Sequence, residues 1–271
     1  MSAHAELDRV EATAIALALD AGRLIRDQVG RHTTVEFKGE IDLVTEVDKA
    51  SEALIANGIS AAWPGHALLG EEGSTTGVPV EHAEWVWIVD PIDGTTNFAH
   101  GYPHFAVSIA IARGGVGEIG VVYDPSRDEL FVGRRGQGSR CNGHPIAVSK
   151  TAALGRAILA TGFSYDRAYR HRQIAQWISL HDHCQGIRRE GSAALGVTWL
   201  AAGRTDGFYE APINPWDIAA GAVIAEAAGA RVTSLGGQDY AIFDREILVT
   251  NGLIHTELQQ ALADSLPVGV P

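Results

Sequence analysis

The stretch Trp85-Val86-Trp87-Ile88-Val89-Asp90-Pro91-Ile92-Asp93-Gly94-Thr95-Thr96 decides the reading of this chain. Five apolar residues run without a break and then meet a carboxylate. A run this short, β-branched and bounded by turn residues, predicts a buried strand over 85–89 that ends abruptly at Asp90. Pro91 fixes φ and removes a donor, while Gly94 permits a backbone conformation closed to side chains. The tight turn so predicted aims the carboxylates of Asp90 and Asp93 and the Ile92 carbonyl at one point. Oxygen-only ligands suit a hard cation such as Mg²⁺, which keeps waters and accepts phosphate oxygens. Asp90 in such a turn can bridge two metals about 3.5–4 Å apart. A plain Asx-type turn at a strand end uses the same two aspartates and needs no metal.

Outward from the turn, the apolar spacing assigns the other elements. Residues 5–29 carry Leu7, Val10, Ala14, Leu17, Ala21 and Leu24, the stripe of an amphipathic helix. Thr45-Glu46-Val47-Asp48 leads into a second helical pattern through Ala53, Leu54 and Ile59. Three apolar runs after the turn, at 107–112, 119–123 and 130–133, are separated by Gly, Asp or Pro and predict an antiparallel meander. Beyond residue 150 strands at 158–161, 187–189, 207–210 and 247–250 alternate with helices at 169–180, 192–202 and 218–228 and a terminal helix. The expectation is an α+β half over residues 1–150 followed by an α/β half over 151–271, with a soft boundary near 145–155.

The composition bounds the function. Of 271 residues, 46% are hydrophobic and 20% charged, the balance of an ordinary soluble globular protein. No stretch approaches the roughly 20 apolar residues that span a bilayer. Glu6, Asp8 and Glu11 interrupt any signal-peptide plan, so a cytoplasmic protein is expected, with no membrane partner. Cys141 and Cys184 are too few for a disulfide framework or a thiolate metal site. The formal net charge of −12 disfavours direct nucleic-acid binding, which needs a basic face. Part of that acidity is expected at a site that collects divalent cations.

The string from Trp87 to Thr96, continued by Asn97-Phe98, resembles the signature of the inositol monophosphatase family, among the lithium-sensitive phosphatases that include fructose-1,6-bisphosphatase. Leu69-Gly70-Glu71-Glu72 is similar to that family's upstream acidic segment, and Asn214-Pro215-Trp216-Asp217-Ile218-Ala219-Ala220-Gly221 to its downstream signature. Order and spacing agree over residues 5–263. The resemblance implies a layered αβαβα sandwich with an antiparallel N-terminal sheet and a mixed C-terminal sheet, assembled as a homodimer. It also implies Mg²⁺-dependent hydrolysis of a phosphate monoester, inositol monophosphate foremost, by metal-activated water, and inhibition by Li⁺.

By position, the resemblance assigns Glu71, Asp90 and the Ile92 carbonyl to a first Mg²⁺, and Asp90, Asp93 and Asp217 to a second. A third, weaker metal would sit near Glu71. Residues 1–150 would then carry most metal ligands, and residues 151–271 would complete the metal site and the substrate pocket. Four carboxylates and a dianionic phosphate match the charge of three Mg²⁺. Asp217 would also stabilise a helix N-terminus, worth about 0.3–1 kcal/mol. Thr95 and Asp48 match the pair that orients and deprotonates the attacking water, although Thr45-x-x-Asp48 equally fits a capping box. Backbone N–H groups of Gly94-Thr95-Thr96 would receive phosphate oxygens, as at a helix N-terminus. Lys38 matches a family lysine near the metals, where a solvated surface lysine is the simpler reading.

Arg188-Arg189-Glu190-Gly191-Ser192-Ala193-Ala194 resembles the segment that lines the sugar-alcohol pocket, with Gly191, Ser192 and Ala193 in contact and Arg188 assisting electrostatically. Glu210 matches a carboxylate that accepts hydrogen bonds from substrate hydroxyls; alternatively it is a strand-end glutamate. A carboxylate there favours a neutral polyol over a second phosphate, but it also suits the ammonium of histidinol phosphate. The histidinol-phosphate branch often has lysine where Thr96 stands. His100 and His104 follow the motif closely and are read as structural. Some bacterial relatives bind transcription or RNA-processing machinery, which leaves a regulatory binding role as the alternative from a different class.

Overall fold

A computed structural model describes residues 3–30, 35–37, 43–164 and 166–265. Helix α1 (Ala3–Gln28) opens the chain, followed by a two-stranded antiparallel ribbon, β1 (Val35–Phe37) and β2 (Leu43–Thr45), and helix α2 (Glu46–Ala62). Strands β3 (Ala67–Gly70) and β4 (Trp85–Asp93) and the short helix α3 (Thr95–Ala99) follow. A run of five strands comes next: β5 (Ala106–Arg113), β6 (Val116–Asp124), β7 (Glu129–Arg134), β8 (Gly138–Cys141) and β9 (His144–Ile146). The remaining elements alternate as β10 (Ile158–Thr161), α4 (Arg167–His181), β11 (Gly186–Arg188), α5 (Ala193–Ala201), β12 (Gly207–Glu210) and α6 (Pro215–Ala227). Strands β13 (Arg231–Thr233) and β14 (Ile247–Thr250) and helix α7 (His255–Asp264) complete the described fold.

Two sheets and three helical pairs stack in five layers. The first sheet has the order β3-β4-β5-β6-β7-β8-β9 and the second β11-β10-β12-β14-β13. Helices α1 and α2 cover one face of the first sheet through Val10, Ala14, Leu17, Ala21, Ile25, Ile55 and Ile59, all buried. Helices α5 and α6 fill the space between the sheets, and α4 and α7 cover the outer face of the second. The period of two along β4 is what distributes its side chains. Trp85, Trp87 and Val89 join the core under α1 and α2, while Val86 and Ile88 join the core shared with α5 and α6. No helix among the described residues is long and apolar enough to cross a membrane.

The layered α+β arrangement and the mixed second sheet agree with expectation, and three local readings need correction. Strand β4 does not stop at Asp90 but runs to Asp93, with a register shift that pairs Asp90 with Ser108 and Asp93 with Ala106. Pro91 cannot donate to the ladder, so the chain bulges there instead of turning away. The first sheet is not purely antiparallel, because β3 lies parallel to β4 along Ala67–Gly70. Finally, β8, β9 and β13 are short and lack an apolar run, so no sequence period marks them; they are strands because a neighbouring strand offers hydrogen bonds.

Candidate active site

The β4 bulge creates the site's central geometry. In a regular strand, Asp90 and Ile92 would share a face. The bulge places three residues of β4 opposite two of β5, which brings Asp93 to the face of Asp90 and sends Ile92 into the core under α2. Asp90 Oδ1 accepts from the Ile92 N–H at 2.9 Å, and Ser51 Oγ on α2 reaches the Pro91 carbonyl at 3.3 Å. Asp217 arrives from the first turn of α6, where Pro215 is pre-set for the helix and the Asp217 carboxylate accepts from Asn214 N at 2.9 Å. Carboxylate oxygens of Asp90, Asp93 and Asp217 lie within 4.8 Å of one another.

Glu71 joins this cluster from the end of β3, its N–H bonded to the Val89 carbonyl at 3.1 Å. Glu52, a buried residue of α2, holds the acidic loop by accepting from Glu72 N and Ser74 N, both at 2.8 Å. Burial pushes the Asp90 carboxyl far above its ordinary range, and the charges of Glu71, Asp93 and Asp217 push it further. Asp217 rises for the same reasons, burial first and then Asp93 and Glu71. Burial raises Asp93 to about 6, against hydrogen bonds from the Ser192 hydroxyl and the Ala194 and Ala193 N–H groups. Buried carboxylates that repel one another fit a group that supplies positive charge, and an all-oxygen donor set fits a hard divalent cation.

Gly94 closes the bulge at φ 98°, where an added Cβ would stand 3.0 Å from the Gly191 carbonyl oxygen and 3.1 Å from that of His104. Thr95 then begins α3, and its hydroxyl lies 3.0 Å from Asp48 Oδ1 and 3.1 Å from the Ile92 carbonyl. With one proton, it donates to one of them at a time. The capping box is also present: Asp48 Oδ2 accepts from Thr45 N at 2.9 Å and from the Thr45 hydroxyl. One carboxylate therefore serves both readings, with one oxygen on the helix cap and the other on Thr95.

A cavity of ≈ 290 Å³ extends from this cluster to the second sheet. Glu71, Asp90, Ile92, Asp93, Gly94, Thr95, Gly191, Ser192, Ala193, Glu210 and Asp217 all border it. Asp48 is buried behind Thr95, and Thr96 sits half-buried on α3 without lining the cavity. Ser192 Oγ donates to Asp93, so its hydroxyl is engaged with the carboxylate cluster. Burial, reinforced by the Asp93 charge, pushes Glu210 up to about 8, against Arg189 and the Gly162 N–H. The expectation for Arg188 passes to its neighbour. Successive side chains of an extended segment point to opposite sides, so Arg188 is exposed elsewhere and Arg189 borders the cavity. Lys38 lies outside the described residues. His104 is buried and His100 exposed, and neither lines the cavity.

Sequence reasoning missed Glu52, Asn97 and Arg189. Asn97 Nδ2 donates to the carbonyls of His104 at 2.7 Å and Glu190 at 2.8 Å, tying the β4 loop to the loop before α5. Asp48, Ser51 and Glu52 form a polar i, i+3, i+4 stripe on α2. That signal was available, but a solvated helix face carries the same pattern.

A layered α+β chain with a carboxylate cluster at the head of a polar cavity has the make-up of a hydrolase that works with bound cations. Comparison with known proteins gives the class its name. The model of the inositol monophosphatase family matches residues 6–267. The inositol-1-monophosphatase of Synechocystis is 43% identical over 247 residues, spanning 90% of this chain and 85% of that protein. The Nus factor SuhB of Escherichia coli is 42% identical over 233 residues, 84% of this chain and 86% of that one. The solved inositol monophosphatase of Anabaena superposes with a TM-score of 0.86 at 39% identity, covering 97% of this chain and 98% of its own. The chain belongs to the inositol monophosphatase family, and it is a phosphoric monoester hydrolase.

Proposed function

We propose that this protein hydrolyses the monophosphate of a polyol, inositol monophosphate first among them, with two to three Mg²⁺ bound at the carboxylate cluster. The observation that carries the reading is the gathering of Asp90, Asp93 and Asp217 within 4.8 Å at the head of a cavity that also reaches Glu210. Glu71, Asp90 and the Ile92 carbonyl would hold one ion, and Asp90, Asp93 and Asp217 another. Bound Mg²⁺ would supply Lewis-acid charge to the phosphoryl oxygens and lower the pKa of a water molecule.

The chain's own residues supply positioning and proton transfer. The Thr95 hydroxyl, donating to Asp48 Oδ1, keeps a lone pair to orient a water, and Asp48 Oδ1 is the atom that takes the proton passed through Thr95. The N–H groups at the start of α3 precede its first i→i−4 bond, from Phe98 N to Gly94 O at 3.0 Å, and are offered to phosphate oxygens. Gly191 and Ala193 border the leaving group, and Glu210 meets its hydroxyls.

The test is kcat/KM with Mg²⁺ for inositol 1-phosphate, histidinol phosphate, phosphoadenosine phosphate and fructose bisphosphate. Inositol 1-phosphate is expected to lead; histidinol phosphate ahead by orders of magnitude would overturn the substrate reading. Asp93→Asn should lower turnover at least about 100-fold with the fold intact, as loss of metal-borne charge predicts. Near-normal turnover would sink the metal assignment. The relatives named Nus factor SuhB favour a second reading, binding to transcription machinery. A physiological partner and phenotype that both survive Asp93→Asn would support it.

A further inference from the structure

We propose that Arg189 is a specificity-determining residue that, together with Glu210, grips the leaving polyol. This rests on the reading of the cavity as a polyol-phosphate site. Arg189 borders the cavity, and among the described residues it has no ion-pair partner within 4.0 Å. Every other arginine that reaches this cavity is already engaged: Arg245 donates to Asn214 Oδ1 at 2.9 Å and lies 3.4 Å from the Ile213 carbonyl. Arg189 therefore offers five donors to whatever enters.

The guanidinium of this exposed side chain stands beside an aromatic wall of the cavity. Its Cζ lies 6.0 Å from the centroid of the Phe163 ring, itself a wall of the cavity. Gly191 leaves it room, since a Cβ there would stand 3.1 Å from an Arg189 terminal nitrogen. Arg189 and Glu210 are close enough for the arginine to oppose the rise in the glutamate's pKa. The pair thus presents a charged donor and a carboxyl to the same volume. Neighbouring hydroxyls of a polyol need that combination, one group to accept from and one to donate to. A phosphate ester whose alcohol has no further hydroxyl gains nothing from either.

The experiment compares inositol 1-phosphate with ethyl phosphate, each with Mg²⁺, in the unaltered enzyme and in Arg189→Ala and Arg189→Lys. In Arg189→Ala the ratio of the two kcat/KM values should fall roughly 10-fold or more, the loss of a charge-assisted hydrogen bond, and mainly through KM of the inositol ester. Arg189→Lys, with a single compact charge, should fall between. An arginine that only attracts the phosphate dianion would lower both values together, so an unmoved ratio overturns the proposal. If the unaltered enzyme turns over ethyl phosphate and other esters but shows no preference for polyols, the underlying substrate reading fails instead.

Discussion

At the residue scale, Asp48 carries two duties on two oxygens. Oδ2 closes the N-terminus of α2 with Thr45, and Oδ1 receives the Thr95 hydroxyl from 47 residues away. On the proposed mechanism, changing Asp48 would damage helix and chemistry together, whereas Thr95 separates them. Thr95→Ala removes the hydroxyl and leaves the capping box in place. We expect kcat to fall roughly 10²–10⁴-fold, the range of positioned base catalysis, with thermal stability nearly unchanged. A parallel loss of stability and turnover would show that Thr95 is only structural. Gly94 has a comparable constraint, because its φ of 98° and the two carbonyl oxygens beside it exclude a side chain. These requirements explain why a threonine and a glycine adjoin the second aspartate.

At the element scale, α6 sets the depth of the site. Asp217 can reach β4 only because the helix lies close against the first sheet. Glycines on the sheet permit that approach: a Cβ on Gly120 would stand 2.2 Å from the Ala220 carbonyl oxygen, and one on Gly133 would stand 2.5 Å from Ile224 Cα. Backbone atoms cannot step aside as a side chain can. Gly120→Ala is expected to cost about 1–3 kcal/mol, the range for overpacking a tight interior, measured by urea unfolding, and to weaken Mg²⁺ binding as α6 is pushed away. Unchanged stability would mean that the helix shifts without penalty. The β4 bulge is the other element-scale device, since without it Asp93 would face the α1–α2 layer.

At the scale of the whole molecule, buried titratable groups couple stability to pH in two opposed senses. His104 and His255 are buried and held down to about 4, by burial first and then by Arg127 and Arg231 respectively. Trp87 Nε1 donates to His66 Nδ1 at 3.0 Å, and burial lowers that histidine too. A base with a depressed folded pKa contributes stability that is complete above its unfolded value near 6.5 and declines as pH falls towards 4. The loss should be on the order of 2 kcal/mol for each of His104 and His255. Glutamine at position 255, which keeps neutral hydrogen bonding, should flatten that acid limb of Tm against pH. An unchanged limb would remove His255 from the account. The carboxylates act in reverse. Asp93 at about 6 and Glu210 at about 8 favour folding while protonated, and that contribution is lost as pH rises through those values. Bound Mg²⁺ should restore it, so millimolar Mg²⁺ is expected to raise Tm by roughly 5 °C at pH 8 and by less at pH 5. An equal shift at both pH values would contradict the coupling.

How far these features are legible in the sequence differs by kind. The carboxylates that gather were legible: Asp90, Asp93, Glu71 and Asp217 stand in segments whose order and residue types single them out, and acidity belongs to the side chain wherever it is placed. The amphipathic helices and the apolar strands were legible for a related reason, since a local period is enough to mark a buried face. Register was not. Whether β4 turns or bulges at Pro91, whether Asp48 caps a helix or also meets Thr95, and whether Arg188 or Arg189 faces the cavity each depend on which strand or loop lies opposite. A displacement of one residue along a strand reverses the face of every side chain, and no local pattern records it. By itself, then, the sequence determined that this protein would gather carboxylates for phosphate-ester chemistry. The tertiary structure alone decided which atoms meet, because contacts between distant segments are set by packing and strand pairing.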